Sequence, residues 1–421
     1  MNTLLLFLAT AIGAADEPAA GRFYREFWYQ PGVEFGNPVV NSRFRVNSPE
    51  SVLHPEFGLR RETRGNGMMQ IAIDDSLFEL AGAELYLELW GGHPGTANKR
   101  VTLNGRSTYA LPKVGTEEHH CTHQYPVVPL KLTDLVSGSS ALQFACDQGE
   151  SFWGHFIVDG ACLRTVLKRW HTLLKERGLA DFSAKVEAER DDAAEAFQLR
   201  LAVPEAFAKK IVAVEFHGFY EGYDENGNGQ SRDWHGFTKA REPVAVLGVA
   251  SEPPFAATWD VSMLPAQTDM AVKAVVRFRE PADLRYETAP VAGLSMPKRS
   301  GTTVSLQRAS ELPAPFWSRA DRRATSAIPL DVDPARVERA ELHVVTWRGG
   351  SGKVPGYFTL NGRHFPVAEG SGHDVCYSRL PIDPAILRRG DNEIVVHSDT
   401  EHHGIEVLLP GPAIVVRYSF R

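Results

Sequence analysis

Hydrophobic and polar residues alternate along most of this chain. From Ala83 the order is A-E-L-Y-L-E-L-W-G-G, in which Leu85, Leu87 and Leu89 alternate with Glu84, Tyr86 and Glu88. Successive side chains of an extended backbone point to opposite faces, so this pattern predicts a half-buried β-strand. Similar runs recur at 182–188, 197–202, 211–219, 244–249 and 271–278. Gly and Asn-Gly punctuate such runs roughly every ten residues, the spacing of an antiparallel β-sandwich. Residues 167–179 have scattered helical spacing and read as a short helix, or as the end of a strand plus a linker. The expected fold class is all-β.

The pattern also repeats at long range. The run from Ala83, followed by V-T-L-N-G-R, returns from Ala340 as A-E-L-H-V-V-T-W-R-G-G, followed by F-T-L-N-G-R. Trp90 and Trp347, and likewise Asn104 and Asn361, are both offset by 257 residues (347 − 90 and 361 − 104). A shared offset across two separated motifs predicts two related units around a middle one. Gly115 before Cys121 and Gly370 before Cys376 keep the register with a two-residue deletion.

Strand, Asn-Gly turn, strand, then L-x-x-G-D-N-E-I before the final strands resembles the galactose-binding-like jelly-roll modules of secreted bacterial glycoside hydrolases. The middle segment, with Trp259 expected in its core, resembles an immunoglobulin- or fibronectin-like sandwich. The resulting expectation is a multi-domain β-sandwich protein with two related jelly rolls around an Ig-like sandwich. Its divisions are a signal peptide at 1–15, a jelly roll at 16–165, a linker at 166–180, an Ig-like sandwich at 181–280, a connecting segment at 281–314 and a second jelly roll at 315–421. The resemblance implies carbohydrate association.

Composition narrows the class further. A formal net charge of -7 over 421 residues, with no basic block, argues against nucleic acid and anionic membrane as partners. Leu4, Leu5, Leu6, Phe7 and Leu8 run into Ala11, Gly13, Ala14 and Ala15. That is the layout of a secretory signal, too short to span a bilayer, and it predicts export to a bacterial periplasm or beyond. Four cysteines are too few for a disulfide scaffold, although Cys146 and Cys162 could pair if their strands are neighbours.

The densest group of metal-capable oxygens is E-G-Y-D-E-N-G-N-G-Q-S-R-D-W-H, ending at His235. Asp224, Asn226 and Asn228 match the first half of a calcium loop, with the Gln230 carbonyl and Asp233 as further ligands of a structural Ca2+. The competing reading is a polar Asn-Gly hairpin turn. His119, His120 and His123 are ligand-binding candidates, and His119, Cys121 and His123 would share a face if that segment were extended. Trp153 and Trp234 are candidate platforms for sugar rings, whose axial hydrogens present an apolar face. Glu401, His402 and His403 could exchange a proton in glycoside or uronide chemistry. The sequence thus points first to an exported, polysaccharide- or glycan-binding protein. A polysaccharide lyase or hydrolase with its site between the sandwiches is the alternative, and a cell-surface scaffold the third.

Overall fold

The computed structural model describes residues 21–29, 44–46, 68–92, 95–116, 118–147, 156–347, 350–368, 374–401 and 404–420. Residues 1–15, Trp153, His402 and His403 lie outside them. Within them the chain is an all-β, multi-domain sandwich, interrupted by the short helices Thr172–Glu176 and Glu205–Ala208.

The dominant element is a 12-stranded sheet. Its path runs Arg232–Trp234, Ile211–Glu221, Gln267–Phe278, Leu284–Glu287, Arg22–Trp28, Phe156–Leu167, Leu80–Trp90 and His123–Gln124. The seam is Arg22–Trp28 beside Leu284–Glu287, where Arg22 faces Glu287 and Tyr24 faces Arg285. Through it the first and middle parts of the chain share one sheet and one hydrophobic core. Leu85, Leu87 and Leu89 are fully buried on the inner face, as their alternation requires. Each such side chain contributes about 1.5–3 kcal/mol on leaving water.

Smaller sheets close that core. Met68–Ile73, Gly138–Ala145, Arg100–Leu103 and Ser107–Ala110 form a four-stranded sheet, and Lys185–Asp191, Ala196–Ala202 and Ala256–Asp260 a three-stranded one. Trp259 is in the core, 4% exposed. The last part of the chain has its own core between a six-stranded and a four-stranded sheet. In the latter, Arg323–Leu330, Gly390–His397, Phe358–Leu360 and Arg363–His364 pair in the order seen in the first four-stranded sheet. Asn104 and Asn361 do equivalent work. Both sit at positive φ (48° and 51°), donate to a carbonyl (Asp134 and Ile386) and accept a backbone N–H (Ala141 and Glu393).

Two expectations are corrected. Residues 281–314, expected as a connecting segment, hold three strands, Leu284–Glu287, Val291–Met296 and Thr302–Arg308. Cys146 and Cys162 are both free, buried thiols. Cys162 faces Tyr86 and Trp28 across the large sheet, and Cys146 follows the Gly138–Ala145 strand of the sheet opposite, so the two are not on neighbouring strands.

The 222–230 loop fills the junction of all three parts. Tyr223 donates its hydroxyl to the Gly411 carbonyl (2.7 Å), and Arg308 donates to the Gly222 carbonyl (3.1 Å). From the first sandwich, Gln124 donates to the Gly227 carbonyl (2.8 Å). Gly227 has a φ of +67°, and a Cβ there would lie 2.5 Å from the His123 carbonyl oxygen. Only glycine satisfies both conditions.

Candidate functional site

The outer face of the large sheet is unusual in being both polar and buried. Glu84, Arg164 and Glu26 are cross-strand neighbours, as are Glu215, Val275, Glu287 and Arg22 two rows along, with Tyr24 and Arg285 between. Charges of opposite sign therefore meet on adjacent strands. Arg164 contacts Glu26 at 3.3 Å, Arg285 contacts Glu26 at 3.1 Å, and Glu287 holds both Arg22 (3.1 Å) and Lys273 (3.0 Å). Burial opposes the charge on Glu287, yet Lys273 and Arg22 outweigh it and hold its carboxyl below the usual range.

What covers this face is a hairpin, Phe237–Lys239 and Glu242–Val244. Tyr86 ties it down by donating to the Thr238 carbonyl and accepting from the Thr238 N–H (3.0 Å). Glu88 accepts the Ala240 N–H at 2.8 Å, and Lys239 pairs with Asp374 from the last sandwich. Burial pushes the Glu88 carboxyl up to about 7 against the pull of that N–H.

Between hairpin and sheet lies a groove of about 370 Å3. Tyr24, Tyr86, Tyr125 and Trp234 give it aromatic walls, and the ion-paired rows give it a polar floor. The Arg164 guanidinium lies over the Tyr86 ring at 4.4 Å, and Lys273 over Trp234 at 4.5 Å. Tyr125 stacks on Phe237 (3.9 Å between centroids, 15° between planes). Three buried polar atoms of the wall have no hydrogen-bond partner among the described residues: Arg164 Nε, the Tyr125 hydroxyl and His217 Nε2. Buried polar atoms are normally satisfied, so such a cluster in a concave site is open to a ligand rich in hydroxyls.

The structure distributes the sequence candidates unevenly. Trp234 is half-buried at the groove, with Asn226, Asn228 and Asp233 beside it. Asp224 is buried, its carboxylate accepting the N–H groups of Asn228 (3.1 Å) and Gly229 (2.8 Å). Asn226 and Asn228 accept the N–H groups of Asn228 and Gln230, and Asp233 accepts from the Asn228 amide. His119, Cys121 and His123 do not line one strand. His119 is in a turn with a φ of +68°, His120 follows it, and the strand begins at His123. His123 is buried against Asp159 (3.1 Å). Among the described residues no group of three His, Cys, Asp or Glu is placed to hold a metal ion. Glu401 is exposed in a bend away from the groove lining, and its neighbours His402 and His403 are outside the described residues.

Sequence reasoning missed Tyr24, Glu26, Arg164, Glu215 and Arg285. Each is a charged or aromatic residue at an alternate position of its strand, as in R-F-Y-R-E-F-W and V-E-F-H, a pattern shared with ordinary solvent-facing positions.

Fold and groove together define an all-β protein with a buried polar face. No protein-family model matches the chain, and no curated protein does. Solved structures do resemble it in part. A β-porphyranase of glycoside hydrolase family 86 from the human gut bacterium Bacteroides plebeius is 13% identical with a TM-score of 0.24, over 57% of this chain and 37% of that one. BuGH86 in complex with neoagarooctaose is 12% identical with a TM-score of 0.24, over 64% and 40%. A β-glucuronidase of an uncultured Clostridium sp. is 12% identical with a TM-score of 0.21, over 74% and 50%. The chain spans half or less of the length of these proteins. Alignments this loose transfer neither activity nor residue roles.

Proposed function

We propose that this is an exported protein whose groove binds a carbohydrate chain without cleaving it. The observation that carries the reading is the set of unpartnered polar atoms, Arg164 Nε, Tyr125 Oη and His217 Nε2, set among aromatic rings. A sugar supplies both complements: hydroxyls that donate and accept, and a C–H face that packs on Trp234 or Tyr86. Hydrolysis or elimination would need a group free to transfer a proton. Glu26, Glu215 and Glu287 are instead engaged by arginine or lysine, and Lys273 and Arg22 hold Glu287 ionised, which favours binding over turnover.

The test is affinity electrophoresis of the whole chain in gels cast with individual polysaccharides. Trp234→Ala should reduce retention at least tenfold while far-UV circular dichroism stays unchanged. Retention of the variant equal to wild type, or no retention of the wild type in any gel, would overturn the reading. Soluble oligosaccharides released by the wild type would move the protein to the lyase or hydrolase alternative.

A further inference from the structure

A second cavity, also of about 370 Å3, lies where the middle sandwich meets the last one. It shares no lining residue with the groove. Tyr220, Tyr223 and Trp259 come from the middle part, and Glu341, His343 and Tyr377 from the last. Glu341 and His343 stand on the outer face of the Val337–Trp347 strand, 257 residues after Glu84 and Tyr86 of the groove side (341 − 84 and 343 − 86). Tyr86 and His343 thus hold equivalent strand positions, each lining a cavity.

The chemistry of the second cavity is specific. His343 is 8% exposed, and its Nδ1 lies 2.6 Å from the Tyr377 hydroxyl. Burial pushes its pKa below the ordinary histidine value, so the ring is neutral near pH 7. With Tyr377 donating to Nδ1, the proton sits on Nε2. That atom has no hydrogen-bond partner among the described residues and stands 3.6 Å from Glu341 Oε2, beyond hydrogen-bonding reach. A donor and a carboxylate at that separation fit one hydroxyl, which accepts from Nε2 and donates to Glu341. Arg379 fixes the carboxylate from the side at 2.7 Å. Tyr223 and Tyr377 lie parallel (13°, 5.7 Å between centroids), and Trp259 is tilted 43° to Tyr220 at 5.3 Å, so ring faces border the same space.

The wall also carries a charge bias. Glu225, Asp260 and Glu341 face Arg379 as the cationic residue of the lining. A uronate or sulfated unit brought here would find no free cation among the described residues of the lining, because Glu341 engages Arg379 and Arg339 and Glu225 is paired with His235, so its charge would be desolvated without compensation. A neutral unit meets carboxylate acceptors for its hydroxyls together with the Nε2 donor of His343. We propose that this cleft is a second carbohydrate site, independent of the groove and selective for an uncharged pyranose whose hydroxyl bridges His343 and Glu341. From the groove it takes only the premise that the protein meets glycans.

Saturation-transfer NMR and calorimetry on the full chain would test it, with cellohexaose, xylohexaose and mannohexaose as neutral probes and oligogalacturonate as the anionic one. At least one neutral hexaose should bind wild type and Trp234→Ala alike, with oligogalacturonate at least tenfold weaker in the Trp234→Ala background. His343→Gln should raise that Kd at least tenfold. Tyr377→Phe, which keeps the ring and removes the hydroxyl that sets the tautomer, should raise it severalfold with the melting curve unchanged. Binding lost in Trp234→Ala but kept in His343→Gln would place all recognition in the groove and overturn the cleft site alone. No neutral hexaose binding, or anionic binding as strong as neutral binding in Trp234→Ala, would overturn it as well. Failure of the groove itself would show differently, as loss of polysaccharide retention with hexaose binding intact.

Discussion

Replacing Glu88 by Gln should make the protein more stable as pH rises above about 4.5, with the full gain reached above about 7. Glu88 is 5% exposed, and burial raises its carboxyl from 4.5 to about 7. Below about pH 4 the group is protonated in both folded and unfolded chains and contributes no pH dependence. Between 4.5 and 7 the unfolded chain releases its proton while the folded one keeps it, so folded stability falls as pH rises. A difference of 2.5 units (7 − 4.5) corresponds to about 3 kcal/mol lost by pH 8. Gln keeps the acceptor for the Ala240 N–H and cannot ionise. Urea unfolding followed by circular dichroism should therefore show variant and wild type equal within about 1 kcal/mol at pH 4, the usual uncertainty of such midpoints. At pH 8 the variant should be ahead by about 3 kcal/mol. The same difference at both pH values would refute the claim that burial holds this proton. Exchange of the Ala240 amide gives a second readout, since that hydrogen bond fastens the hairpin over the groove.

Other perturbations test separate parts of the structure. Asp224→Ala leaves the Gly229 N–H without its acceptor in a buried loop, while the Asn228 N–H keeps Asn226, and should cost about 1–3 kcal/mol, seen as a lower melting temperature; a calcium-dependent rise in wild type that this variant lacks would assign the loop an ion as well. Gly227→Ala forces a Cβ to within 2.5 Å of the His123 carbonyl at positive φ, so it should destabilise the junction by more than 2 kcal/mol in thermal melts. Gly160→Ala would place a Cβ 2.8 Å from the Glu88 carboxyl carbon and should loosen the hairpin, read as faster Ala240 exchange. Tyr125→Phe deletes an unpartnered buried hydroxyl and should leave stability within about 1 kcal/mol of wild type while weakening glycan retention. An equal loss of stability and retention would show that hydroxyl to be structural.

Strand positions were readable because period-two alternation is local, and the 83–90 run appears in the structure as Leu80–Trp90. The seam was not. Leu284–Glu287 contributes only L-R-Y-E to a sheet whose partner strand lies over 250 residues away, and nothing in four residues specifies such pairing. The groove hid for a related reason. Its ionic rows come from six strands brought together by that seam, so each contributes one or two charges that look like ordinary solvent-facing residues. Trp234 was visible because its stretch is dense in polar residues. The histidine segment misled because its alternation held only if it were extended, and the positive φ of His119 turns the chain there.

The seam also orders events during synthesis. Arg22–Trp28 leaves the ribosome long before its neighbour Leu284–Glu287 exists, and until then one of its edges has no partner. At roughly 5–20 residues per second, the wait for about 260 further residues is on the order of 13–50 seconds. An open edge of that duration invites pairing with another chain. The strand made early is thus completed late, and the folding intermediate most in need of shielding is one in which the first sandwich already has its neighbour on one side only.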